Sequence, residues 1–219
     1  MSDPHRERVT PATTPFTHVD MVLRTGTSAD AAAAAALHAS QIREGFLASL
    51  GPRFLGRLYR RVPHVPGSFL LVLDVKGRIV GFLAGSVDVG ALYKEFLIRD
   101  GAFAVFGCAW RLVRSPKRAF ETLRHGTSED RGEPELLAVA LEPEARGLGG
   151  GRMLVEGFLK EIARRGRSTA HVVVASGNDR AVALYRRTGF AVVESFELHR
   201  GSESLLMRHS APSPGEPSR

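Results

Sequence analysis

One turn constrains this chain more than any other stretch: Arg146-Gly147-Leu148-Gly149-Gly150-Gly151. It follows Leu136 to Leu141, an apolar run that reads as a central strand covered on both faces. After it, Met153, Leu154, Phe158 and Ile162 recur at helical spacing and form an apolar stripe. A glycine-rich passage from a buried strand into a helix turns several backbone N–H groups toward one spot. That spot lies at the positive end of the helix dipole, so it suits an anion, and a phosphate best.

Composition narrows the setting. At 219 residues and 43% apolar content, the chain suits one soluble globular domain. No run approaches the roughly 20 apolar residues of a membrane helix. Met1 to His18 is polar and proline-rich, unlike a secretory signal, so a cytoplasmic location is expected. Cys108 is the single cysteine, which excludes an internal disulfide and a cysteine-rich metal site. In its apolar surroundings it reads as a small buried hydrophobe. The net charge of +7 favours acidic partners. The basic residues are scattered and do not alternate with aromatics, so a small polyanion is a more economical partner than nucleic acid.

The rest of the chain reads as α/β. Residues 1–19 and 210–219 are expected as disordered tails around a domain at 20–209. Asp20 to Arg24 suggests a first strand. Ser28 or Asp30 would cap a helix through the alanines to about Ser40. A second helix is expected over Phe46 to Arg61, broken or kinked inside by Gly51-Pro52. Phe69 to Val75 and Arg78 to Val87 form a hairpin around Lys76-Gly77. Ala91 to about His125 is helical in character. Thr169 to Ala175 is a further buried strand, Asn178 to Arg187 a helix, and Phe190 to Phe196 with Ser204 to Arg208 close the sheet.

Two common phosphate loops fail on inspection. A P-loop needs Gly-Lys-Ser/Thr at its end, and Gly151 is followed by Arg152-Met153. The dinucleotide fingerprint needs its third glycine where Arg152 stands. What is left is Arg-x-x-Gly-x-Gly: Arg146, Gly149, Gly151. A second motif lies some thirty residues on, with Asn178, Ala181, Leu184, Tyr185, Gly189 and Phe190 in the order Asn-x-x-Ala-x-x-Leu-Tyr-x-x-x-Gly-Phe. In these two motifs, in order and spacing, the chain resembles the GNAT superfamily of acyl-CoA N-acetyltransferases.

The resemblance implies a central mixed β-sheet of about six to seven strands flanked by helices. It also implies acetyl-CoA as co-substrate and no metal. The backbone of Arg146, Gly147, Leu148, Gly149, Gly150, Gly151 and Arg152 would cradle the pyrophosphate, with charge from Arg146 and Arg152. The strand Leu137 to Leu141 would splay from its neighbour. Backbone groups of Val139 and Leu141 would bond the pantetheine arm as an added strand does. The amide of Val139 or Ala140 would face the thioester oxygen. Asn178 would contact the cofactor, cap a helix, or do both. Tyr185 resembles the family's general acid, the alternative being an aromatic packed under the cofactor. Glu135 matches a position where the superfamily often keeps an acidic residue able to take the amine's proton, with Glu133 as rival and a solvated charge as the plain alternative.

The forty or so residues from Val89 to Arg131 depart from the family's minimal pattern, where strands three and four are joined by a short turn. They form either a packed side-domain or dimer contact, or a lid in which Tyr93, Phe96, Phe103 and Trp110 shape an apolar wall. His38 and His64 read as structural or surface residues. The expectation is direct acetyl transfer to a small-molecule or peptide amine, with no acyl intermediate on Cys108. An acyl-CoA sensor without turnover is the alternative, and a homodimer is left open.

Overall fold

The computed structural model describes residues 20–42, 47, 51–99, 132–199 and 202–211. The expected tail at 1–19, residues 212–219 of the tail expected at 210–219, and most of the long insertion (100–131, with Phe103, Cys108 and Trp110) lie outside the described residues; Ser210 itself belongs to a strand.

The strands are β1 (Val22–Thr25), β2 (Ser68–Val75), β3 (Arg78–Ser86), β4 (Glu135–Leu141), β5 (Thr169–Ala175), β6 (Phe190–His199) and β7 (Ser202–Ser210). They form one seven-stranded sheet in the order β1-β2-β3-β4-β5-β7-β6. Every neighbouring pair is antiparallel except β4 with β5. The helices are α1 (Ala31–Gln41), α2 (Pro52–Arg61), α3 (89–99), α4 (Gly150–Arg164) and α5 (Asp179–Arg187). The mixed sheet flanked by helices, with a helix leaving β3 before β4, is the architecture expected.

Two cores lie on opposite faces of the sheet. β2 shows why: its alternate residues Leu70 and Val72 pack with α1 and α2, while Phe69, Leu71 and Leu73 pack with α4 and α5. A strand buried on both faces needs the unbroken apolar run this one has. The β2–β3 hairpin turns on Lys76 (φ 52°) and Gly77 (φ 85°), the two left-handed residues of a type I′ turn.

Three boundaries differ from the sequence expectation. Asp30, one of the two expected caps, holds the N-cap position of α1 but makes no capping bond there; the capping bonds form one turn earlier, at Thr27. Its hydroxyl accepts from the Ala29 N–H at 3.3 Å, and the Asp30 carboxylate accepts from the Thr27 N–H at 2.8 Å. A short 3-10 turn over Ser28–Asp30 intervenes before the α-helix. The expected helix is broken at Gly51 (φ 85°), and α2 starts only at Pro52, because proline suits the first helical turn, where its missing N–H is no loss. β7 runs over Ser202–Ser210, longer at both ends than the expected Ser204 to Arg208.

Candidate active site

The site is built on the second half of β4. Ala138 pairs with Ala84, and Leu136 with Gly85, so Leu137 is an extra residue with no partner on β3. This bulge switches faces along the strand. Leu136 belongs to the α4-side core, whereas Leu137, Ala138 and Ala140 face α1 and α2, and Val139 and Leu141 return to the α4 side. On its other edge, β4 pairs with β5 at a single register position, Glu135 with His171. Beyond that point the two parallel strands part. The Glu142 N–H donates to the Val80 carbonyl on β3 at 2.8 Å, so by alternation the polar backbone of Leu141 faces the open side.

The gap is a groove of about 1140 Å³. β4 gives it Val139, Ala140 and Leu141, and the glycine turn gives it Arg146, Gly147, Gly149, Gly151 and Arg152. The opposite wall is Asn178 and α5, with Ala181, Leu184 and Arg187. Leu148 and Gly150, whose expected contribution is their backbone N–H groups, direct their side-chain positions toward the core. Leu148 packs on the core, and a Cβ on Gly150 would lie 2.7 Å from the Leu141 side chain.

The turn's geometry follows from its glycines. Gly147 (φ 75°) and Gly149 (φ 85°) are left-handed, a conformation costly for residues with a Cβ. Gly149 is the cap of α4, and the first helical bond runs from the Met153 N–H to the Gly149 carbonyl at 3.0 Å. The preceding first-turn N–H groups therefore have no partner within the helix and point out of its positive end. This fits an anionic ligand. At the second wall, the Asn178 side chain accepts from the Ala181 N–H at 3.2 Å, so it caps α5 while lining the groove.

Tyr185 sits behind that wall. It is 4% exposed, belongs to the core, and packs on Phe190 with ring centroids 5.7 Å apart. Burial pushes its phenol above the ordinary value, so it keeps its proton throughout the physiological range.

The acidic pair lies at the other end of β4. Glu135 Oε2 is 3.4 Å from His171 Nε2 on β5, and Glu133 Oε2 is 3.2 Å from Arg208 Nε on β7. Each carboxylate thus has a basic partner, that of Glu135 on the adjacent β5 and that of Glu133 one strand further on, on β7. Tyr93 on α3 approaches Glu135 from the helix layer; burial first, and then the Glu135 charge, raise its phenol. These partners, and the bulge, were missed from the sequence. Nothing in a linear string marks a histidine and an arginine that meet carboxylates only through strand pairing.

A mixed sheet opened between two parallel strands, with a glycine-rich helix start at the opening, is a fold that solved acetyltransferase structures share. Comparison with solved structures bears this out for the fold. The ribosomal-protein-S18-alanine N-acetyltransferase from Escherichia coli superposes with TM-score 0.57 at 16% identity, over 91% of this chain and 99% of that one. The PaiA N-acetyltransferase from Thermoplasma acidophilum in complex with coenzyme A gives 0.57 at 14% identity, over 87% and 98%. An acetyltransferase of the GNAT family from Streptococcus pneumoniae gives 0.57 at 16%, over 88% and 99%. Residues 125–198 match the FR47-like protein family. Mycothiol acetyltransferase from Streptomyces bingchenggensis (strain BCW-1) is 41% identical over 66 residues, 30% of this chain. The chain aligns with about a fifth of that relative's length (21%). The likeness to these acetyltransferases thus extends over the fold, and the match in sequence covers residues 125–198, which include the groove's glycine turn and α5.

Proposed function

We propose that this protein is an acetyl-CoA-dependent N-acetyltransferase of GNAT type. The observation that carries this is the parting of β4 from β5 directly above a glycine-rich helix start. It leaves a strand edge with free backbone groups running to an anion-binding turn. Those are the two things a pantetheine arm and a pyrophosphate require.

The residues then take these roles. The turn from Arg146 to Arg152 binds the pyrophosphate through first-turn N–H groups, with Arg146 and Arg152 adding charge. Val139 and Leu141 bond the arm through backbone groups, and Asn178 holds the facing wall. Bound acetyl-CoA supplies an acyl thioester already activated toward an amine. The Val139 amide, which shares the direction of Leu141 by alternation, faces the developing oxyanion, whereas the Ala140 amide points to β3. Tyr185 keeps its proton for the departing sulfur. Glu135 takes the proton of the incoming ammonium, and roughly 13 Å of strand separate it from Val139 at about 3.3 Å per residue. That span is too long for direct contact with an amine at the thioester, so a water relay joins them. The acceptor is a primary amine, either a small molecule or a peptide.

The placement of Tyr185 behind the groove wall is the one observation favouring the second reading, a coenzyme A-binding protein without turnover. Calorimetry with coenzyme A and an acetyl-CoA consumption screen over diverse amines, run with Tyr185→Phe, separate the two. Enzyme activity predicts turnover that falls at least tenfold in the variant with coenzyme A affinity held. Tight binding with no acetylated amine supports the second reading, and turnover unchanged in Tyr185→Phe removes that residue from the chemistry.

A further inference from the structure

The mouth of the groove is bridged by its own arginine. Arg146 Nη2 donates to the Leu141 carbonyl on β4 at 3.4 Å and also to Oε1 of Gln41, the last residue of α1, 105 positions away in sequence. Gln41 lines the groove opposite the turn. Its amide is oriented from behind: Nε2 donates to Ser40 Oγ at 3.1 Å, and Ser40 Oγ donates to the Leu37 carbonyl at 3.2 Å. The oxygen is therefore the end presented to Arg146. Three elements that build the site, α1, β4 and the glycine turn, are tied together by one guanidinium.

Resting on the cofactor reading of the groove, we infer that Gln41 holds Arg146 in a closed clasp that must open before coenzyme A enters. Two groups in the clasp are needed elsewhere once the ligand binds. The Leu141 carbonyl is an edge acceptor exposed by the parting of β4 and β5, and the arm must use it. The Arg146 guanidinium is the mobile cation beside the turn, and a pyrophosphate draws it inward. Gln41 is thus a positioning residue that acts through Arg146. The clasp also covers a bare strand edge, which otherwise invites pairing with another chain.

The consequence is kinetic. If only the open form accepts ligand, apparent affinity is reduced by the fraction open, and the reduction appears in the association rate. The clasp is solvent-exposed and competes with water, so the effect is modest, about three- to tenfold.

Stopped-flow binding of coenzyme A to the full chain tests this. Gln41→Leu removes the acceptor oxygen at similar size. It should raise the association rate about three- to tenfold and leave dissociation unchanged. Gln41→Glu should slow association by strengthening the clasp. With Arg146 already replaced by Gln, adding Gln41→Leu should change nothing, since the partner is gone. Circular dichroism confirms that all variants fold. An unchanged association rate in Gln41→Leu overturns the clasp. So does a faster dissociation, which would make Gln41 a direct ligand contact. A wild-type protein that binds no coenzyme A defeats the cofactor reading itself, and the clasp with it. Binding with unaltered kinetics in the variant defeats the clasp alone.

Discussion

His38 should make this protein lose stability in mild acid, and by an amount the structure sets. The side chain is 2% exposed, on the face of α1 that packs on the sheet. Its Nδ1 lies 2.5 Å from the Tyr59 hydroxyl, and Nε2 is buried with no partner among the described residues. The ring of Phe82 stacks against it at 6.4 Å. A neutral imidazole tolerates this site; an imidazolium would bury a second N–H donor with nothing to accept it. Burial accordingly depresses the pKa from 6.5 to about 4. Because the folded value lies below the unfolded one, the unfolded chain binds the proton first. Stability is then complete above pH 6.5 and falls as pH drops toward 4. The gap is worth roughly 3 kcal/mol at about 1.4 kcal/mol per pH unit. His38→Gln keeps a hydrogen bond to Tyr59 but cannot take the proton. Urea unfolding of both proteins at pH 7, 6, 5 and 4 gives the test. At pH 7 the variant should be about 1 kcal/mol less stable through imperfect packing. By pH 4 the order should reverse, the wild type having lost roughly 3 kcal/mol more than the variant. Carboxylates titrate alike in both, so only the difference is read. Stability curves that stay parallel from pH 7 to 4 would refute the reasoning.

Two further predictions concern the frame of the site. Gly85 faces the α4-side core, where a Cβ would meet the Phe158 ring at 2.7 Å and the Phe69 ring at 2.8 Å. Those rings stack on each other with centroids 5.7 Å apart and cannot both yield, so Gly85→Ala should cost about 2 kcal/mol or more in urea unfolding; a loss below about 0.5 kcal/mol would show that the rings have room. Asp30 is 8% exposed and bonded by Arg24 at 2.8 and 2.9 Å, which, with the Thr27 N–H, lowers its pKa to about 2. A depressed carboxylate stabilises above its unfolded value near 3.8 and loses that contribution as pH falls through 2. Asp30→Asn should therefore cost at most about 2 kcal/mol at pH 7 and nearly nothing at pH 2; a cost that persists undiminished in acid would assign Asp30 a purely packing role.

The parts legible in the sequence are those where local backbone conformation and local pattern coincide. Lys76-Gly77 announces its hairpin because both residues must be left-handed. The turn from Arg146 to Gly151 announces itself because Gly147 and Gly149 adopt backbone angles that other residues avoid. β2 and β4 are visible as apolar runs because both faces are covered. The parts that were not legible depend on partners far along the chain. Arg146 meets Gln41, Glu135 meets His171, and Glu133 meets Arg208 only after the sheet has assembled. The 3-10 turn that Thr27 caps ahead of α1 leaves no distinct sequence signal, because Thr27, Ser28 and Asp30 are all good cap residues.

The bulge at Leu137 explains why the two halves of the site differ so much in legibility. On its C-terminal side, β4 offers a ligand its backbone, over the small side chains of Ala138 and Ala140. A backbone site asks little of side-chain identity beyond glycines and spacing, so it leaves a short motif in the sequence. At the bulge itself the strand turns Leu137 and Ala138 toward the helix layer, where they line a cavity of about 10 Å³ with Tyr59 from α2 and Tyr93 from α3. A site on that side must be assembled from side chains of α2, α3 and β4, each free to vary in sequence position. For the acetyltransferase proposed above, Tyr93→Phe should change the ranking of amines in the acetyl-CoA consumption screen and leave coenzyme A affinity unchanged in calorimetry; an unchanged ranking would refute a role for this helix-facing side in choosing the acceptor.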